Sequence, residues 1–215
     1  MSIMMNITDL LLRPAAFFPG RIEGDKPDLK MPFVIVLLYG IVGALSAATV
    51  SSVTMAIMPA EIAGMESMMT GIAVVFEFIR ALIFWVVIAA IFHGISALRG
   101  GKGDFQRTLA VTGYGALPMV FGSIISGIII YVSLADMTIR PVTDPMQVSA
   151  AVTELMSTPS MVIATVISFL FVLWSANIWI FGMQEARSLT GKDALITVGV
   201  PVIIYALITF LPFIW

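Results

Sequence analysis

Five stretches of this chain, about residues 32–58, 71–98, 108–134, 160–183 and 194–213, are continuous apolar runs. Each reaches the roughly 20 residues that a helix needs to cross a hydrocarbon layer about 30 Å thick. No water is present in lipid to bond a bare N–H or C=O, so separate spans must satisfy their backbones internally, as helices. Barrel strands would alternate apolar and polar residues, and these runs do not. The sequence therefore predicts an all-α, polytopic integral membrane protein with five transmembrane helices. Its helical domain covers residues 32–215 and follows an N-terminal segment, residues 1–31. The balance of residues agrees: 60% are apolar and 11% charged, too few charges to coat a soluble domain of this length.

Orientation follows from the basic residues. Arg13, Arg21, Lys26 and Lys30 precede the first run, Arg99, Lys102 and Arg107 lie between the second and third, and Arg187 and Lys192 lie between the fourth and fifth. Nine of the eleven basic residues thus fall on one side, leaving Arg140 on the other and Arg80 within a span. The positive-inside rule makes the basic side cytoplasmic, with the N-terminus inside, Trp215 outside and the chain in the cell membrane. No secretory signal is evident, because RIEGDKPDLK interrupts the early apolar patches and no small-residue cleavage site follows them.

Two further segments read as helices lying on the membrane. In IMMNITDLLL, Ile3, Ile7, Leu10 and Leu11 share one helical face, away from Asn6 and Asp9, until Arg13-Pro14 ends the pattern. In the outer connection, TDPMQVSAAVTELMS places Asp144 at an N-cap and Pro145 at the first helical position, which predicts a short outer helix. The turns GGKGDFQRTLAVTGYGALP and TGKDALITVGVP share Gly-Lys, an Asp and a later Pro. They read either as ordinary capping or as two equivalent hairpins.

Small residues mark where helices approach. Gly40, Ala44, Ala48 and Ser52 recur every four residues in the first run, with Gly43, Ala47 and Ser51 beside them, and the third run carries Gly122, Ser123, Ser126 and Gly127. Such faces let backbones come close enough to gain van der Waals contact in lipid. Their partners belong either to the same chain or to a second copy in a homo-oligomer.

The third run opens with TLAVTGYGALPMVFG, whose Gly113, Gly115 and Pro118 would weaken a soluble helix. Neighbouring helices can compensate within a membrane, so these residues mark a bent or closely packed portion, with Tyr114 placed for an aromatic belt. TLAVTGYGALPMV resembles the Gly-Tyr-x-x-x-Pro signature of the Yip domain family, the Ypt/Rab-GTPase-interacting membrane proteins. The five-helix layout, the GGKGDF turn and the LLRPAAFF start, typical of prokaryotic-type members, extend the likeness over essentially the whole chain. The resemblance implies an integral membrane protein that organises membranes or membrane partners without known catalysis. Gly113, Tyr114 and Pro118 carry over as signature positions. The DLYGP-like stretch associated with vesicle traffic in eukaryotic members is missing from this sequence, so a Rab partner is not carried over.

Residue chemistry restricts other functions. There is no cysteine and His93 is the one histidine, so zinc hydrolysis, thiol chemistry and Ser-His catalysis each lack a part, and no enzyme is expected. RGGKGD lacks the spacing of a phosphate-binding loop. His93 alone cannot fill a metal shell and is expected to bond a backbone carbonyl. The methionines form no regular ladder for copper. No cofactor is expected, nor is nucleic acid a partner at a net charge of −2. Expected partners are membrane lipids, other membrane proteins or a second copy. Glu77 and Arg80, three residues apart in FEFIRALIFW, supply the alternative of a small-solute or ion permease or channel component. They are otherwise expected near the outer end of the second span, reaching the interface or each other. Asn177 is expected to bond another helix or to line a cavity.

Overall fold

The computed structural model describes residues 3–22, 27–58, 64–135, 142 and 145–211. Lys26, Arg140, Asp144 and Trp215 lie outside the described residues, as do the side chains of Ile3 and Asn6. The described chain forms α1 (Ile3–Leu12), α2 (Pro14–Phe17), α3 (Lys30–Ile57), α4 (Glu66–Leu98), α5 (Phe105–Gly115), α6 (Leu117–Ala135), a 3-10 turn (Pro145–Gln147), α7 (Val148–Met156), α8 (Pro159–Arg187) and α9 (Gly191–Phe210). Among the described residues, five helical rods are long and apolar enough to cross a membrane: α3, α4, α5 with α6, α8 and α9.

Local chemistry sets their ends. The Asp104 carboxylate accepts the Arg107 N–H at 3.0 Å and caps α5. Pro159 opens α8 at a position where its missing N–H has no helical acceptor to lose. α8 ends at Ser188 in the left-handed region (φ 51°), where the Leu189 N–H returns to Gln184 O at 3.0 Å. Thr190 accepts the Asp193 N–H at 3.2 Å and donates to its carboxylate at 2.7 Å, starting α9. Asp104 is thus an N-cap, whereas Asp193 lies inside the first turn below a threonine cap. The two Gly-Lys turns use different capping geometries and are not structural equivalents.

Two expectations are corrected, and the bend expected in the third span is located. α4 begins at Glu66, earlier than the apolar run, because the polar turn before that run continues the helix. The third rod is two helices broken at Ala116. The N-terminal segment does not simply rest on the membrane: Leu10, Phe17, Phe18 and Ile22 are buried in the main core, and the Trp174 indole of α8 donates to Leu11 O at 3.0 Å. That segment seals the flank of the bundle at the end carrying the basic loops, called here the basic end. At the far end, α7 covers a second cluster of Ile57, Leu134, Leu155 and Met161. The outer helix expected there is present, but it starts at Val148 after Gln147, and Pro145 opens the 3-10 turn before it instead of the helix itself.

The small-residue faces pack within the chain. A methyl added at Gly40 would stand 3.2 Å from Ala81 Cβ and from the Phe78 ring of α4. Ala44 is buried, Ala48 and Ser52 are half-buried, and Ser51 shares a hydrogen bond with Thr70 at 3.2 Å. Gly122 abuts Phe171 of α8, and Gly127 faces the Ser46 hydroxyl of α3.

Candidate functional site

The break in the third rod begins with Pro118, which has no N–H to return to Tyr114 O. The chain tightens there, and the Ala116 N–H bonds Gly113 O at 3.2 Å, one residue short of the helical partner. Thr112 O, which an unbroken helix would pair with that N–H, instead accepts the Trp179 indole of α8 at 3.1 Å. The Trp85 indole of α4 donates to Leu109 O at 2.9 Å, one turn earlier.

Two glycines make room for these indoles. A methyl on Gly115 would overlap the Trp179 Nε1 and Cδ1 atoms. A methyl on Gly113 would lie 2.6 Å from Pro32 Cβ and 3.0 Å from Trp85 Nε1. Between them Tyr114 turns the other way and meets Phe17 edge-on, with ring centroids 5.2 Å apart, and Phe18 at 6.3 Å. It packs on the N-terminal segment and does not take the place of a lipid-facing belt residue. The signature positions thus join α3, α4, α8 and the N-terminal segment at one level of the bundle.

A second device holds the basic loops. Arg187, 3% exposed at the end of α8, donates from Nε to the Ser96 hydroxyl at 2.9 Å, from Nη2 to Gly101 O at 3.1 Å and from Nη1 to Gly103 O. Its own carbonyl accepts the Lys102 N–H at 2.8 Å. A planar fork of donors suits this task, since one side chain can pin three points of a turn. Gly103 has φ +106°, and a methyl there would stand 2.6 Å from Ala186 O, so the loop requires glycine. Arg99 pairs with Asp193 at 2.5 Å and ties the α4–α5 turn to α9.

Other singled-out residues lie apart. Arg80 donates from Nε to Glu77 Oε2 at 2.7 Å and from Nη2 to Glu77 Oε1. The pair borders a cleft of about 330 Å³ among α3, α4, α6 and α8, with Tyr39, Ser46, Ser123, Ser126 and Ser168. The two residues thus reach each other, one of the two arrangements expected for them, and lie in the half of α4 that starts at Glu66. Asn177 is exposed on α8, outside this cleft, and bonds no other helix among the described residues. His93 Nδ1 lies 3.2 Å from the Thr108 hydroxyl, so it joins α4 to α5 through a side chain and not through a carbonyl. Among the described residues no group of three or more His, Asp or Glu is placed to hold a metal ion.

Residue types alone did not single out Trp85, Trp179 or Arg187. The available signal was an indole in each of the two spans flanking a Gly-x-Gly pair, and a lone Arg closing an apolar run opposite a Gly-rich turn. The model of the Yip1 domain matches residues 8–211 of this chain. An uncharacterized protein of Methanocaldococcus jannaschii is 36% identical over 124 residues, 58% of this chain and 87% of that protein. No solved structure matches the chain.

Proposed function

The chain belongs to the Yip1 domain family, and from that premise we propose that it serves as a non-enzymatic membrane adaptor whose basic end is a fixed cytoplasmic platform for partners. The N-terminus is then cytoplasmic and the C-terminus outside, in the cell membrane. One observation carries this reading: the polar side chains at the basic end hold backbone in place. Arg187 pins the α4–α5 loop, and Asp104 and Thr190 cap helices. What this scaffolding leaves on the surface is charged, with bases in the majority: Arg13, Arg21, Lys30, Arg99, Lys102 and Lys192 are exposed, beside the acids Asp28, Asp104 and Glu185. Such a surface suits acidic faces of membrane proteins and anionic headgroups.

The permease alternative built on Glu77 and Arg80 has less support. The pair is backed at the far end by the apolar cluster under α7 and at the basic end by the main core. The test is affinity purification from native membranes with mass-spectrometric identification, comparing the wild type with Lys102→Glu/Lys192→Glu. The adaptor reading expects a protein recovered with the wild type and lost with the charge reversal at equal expression. Equal recovery with both forms, or none above control with either, refutes it. So would solute flux in proteoliposomes that vanishes with Glu77→Leu/Arg80→Leu while partner recovery is unchanged.

A further inference from the structure

Between the N-terminal segment and the bundle runs a groove of about 190 Å³, walled by Ile7 of α1, Val34 and Leu38 of α3, and Leu117 of α6. Among the described residues of its lining, Arg21 is the one charged side chain and Tyr114 brings the one hydroxyl. The two sit together. The Arg21 guanidinium lies over the Phe17 ring, 4.5 Å from its centroid, and Phe17 in turn meets Tyr114 edge-on at 5.2 Å. An aromatic face attracts a cation and so holds Arg21 beside the groove. Asp28 also stands within electrostatic reach of Tyr114, but one of its oxygens accepts the Lys30 N–H at 2.9 Å and it is not part of the lining.

The helices give the groove a direction. Gly113 is pressed against Pro32, so Tyr114 is level with the first turn of α3, which starts at the basic end. From Met31, on that level, to Leu38 the helix rises about 10 Å toward the far end at 1.5 Å per residue. The groove thus begins at a cation near the basic end and continues between apolar walls toward the middle of the bundle. It is also open at its side. Met31, Val34, Leu38, Ile41 and Leu45 recur along one exposed face of α3, which in a membrane-spanning rod is the face turned to acyl chains. The rise from Met31 to Ile41 is about 15 Å, half of a hydrocarbon layer about 30 Å thick. Charge outermost and hydrocarbon inward is the order of a lipid in the leaflet at the basic end.

We propose that this groove seats one anionic phospholipid of that leaflet, its phosphate on the Arg21 guanidinium and the Tyr114 hydroxyl, and an acyl chain between α1 and α3 past Val34 and Leu38. Charge complementarity selects the headgroup. A lining with one cation and no acid suits a lipid of net negative charge, such as phosphatidylglycerol. In phosphatidylcholine a quaternary ammonium offsets the phosphate and would stand beside the guanidinium, where like charges repel. The adaptor reading is not needed for this inference, which concerns the purified chain and lipid alone, so either can fail without the other.

The full chain, reconstituted in vesicles of equal parts phosphatidylglycerol and phosphatidylcholine and extracted in mild detergent, is examined by native mass spectrometry. The expected result is one retained phosphatidylglycerol per chain, preferred about tenfold or more over phosphatidylcholine. Arg21→Gln, at an exposed position, should abolish the preference between the two lipids. Leu38→Trp, which fills the groove without changing charge, should lower retention of phosphatidylglycerol about tenfold with helicity unchanged. No retained lipid in the wild type, equal retention of both lipids, or a preference unchanged in Arg21→Gln overturns the proposal. Retention unchanged in Leu38→Trp overturns it as well, by assigning the lipid to the basic surface at large, and so does a dimer that Leu38→Trp dissociates, by giving the groove to a second copy.

Discussion

Replacing Gly115 with Ala isolates the packing at the break of the third rod. Alanine is the better helix former by about 1 kcal/mol, so by propensity alone the change should stabilise. The added methyl, however, would overlap the Trp179 indole, which is 3% exposed and bonded to Thr112 O at 3.1 Å. Overpacking a filled core costs about 1–3 kcal/mol, and displacing the indole leaves a buried donor and acceptor unpaired at about 1–3 kcal/mol more. The expected net is a loss of about 1–5 kcal/mol, opposite in sign to propensity. Unfolding titrations in mixed micelles with sodium dodecyl sulfate measure it, and a double-mutant cycle with Trp179→Phe assigns it. Once the indole is gone, Gly115→Ala should cost at least about 1 kcal/mol less than it does in the wild type. Equal costs in both backgrounds, or a Gly115→Ala protein as stable as the wild type, would refute the reasoning.

Arg187→Met keeps length but removes the bonds to Ser96, Gly101 and Gly103; with charged hydrogen bonds at about 1.5–3 kcal/mol each, tryptic cleavage after Lys102 should accelerate at least about tenfold while the remaining fragments stay folded. Gly103→Ala, at φ +106° and against Ala186 O, should loosen the same loop by about 1–3 kcal/mol and show the same cleavage. Trp174→Phe removes the bond to Leu11 O; in the naturally cysteine-free chain, a Leu10→Cys probe should then react faster with a membrane-permeant maleimide than it does with Trp174 intact. Thr190→Ala should cost about 1 kcal/mol as a lost N-cap, and Asp193→Leu, which cuts the partly exposed pair with Arg99 but keeps the capped backbone N–H, should cost no more than Thr190→Ala in the same titrations.

The five rods were legible because uninterrupted apolarity over twenty residues has few solutions in lipid. Where hydropathy is uninformative, the reading failed. Glu66 to Thr70 is polar enough to look like a loop, yet it forms the first turn of α4. α1 carries an apolar face, but periodicity does not say whether lipid or protein covers it, and here Leu10 is covered by protein. Gly113, Tyr114 and Pro118 were recognisable as a signature, and Pro118 announced the bend. What the glycines accommodate could not be seen, because Trp85 and Trp179 approach from other spans. Arg187 counted only as a loop charge, since its three acceptors are contributed by distant residues of the α4–α5 hairpin.

The most direct test of a cytoplasmic platform at the basic end uses single cysteines in place of Lys102, Lys192 and Ser149, all exposed and outside the hydrophobic middle of the bundle. Each is treated in intact cells and in inverted vesicles with a maleimide that does not cross membranes. The expected pattern is reaction of Lys102→Cys and Lys192→Cys in inverted vesicles only, and of Ser149→Cys in intact cells only. Reaction of Lys102→Cys or Lys192→Cys in intact cells, or of Ser149→Cys from the same side as either, would contradict the account.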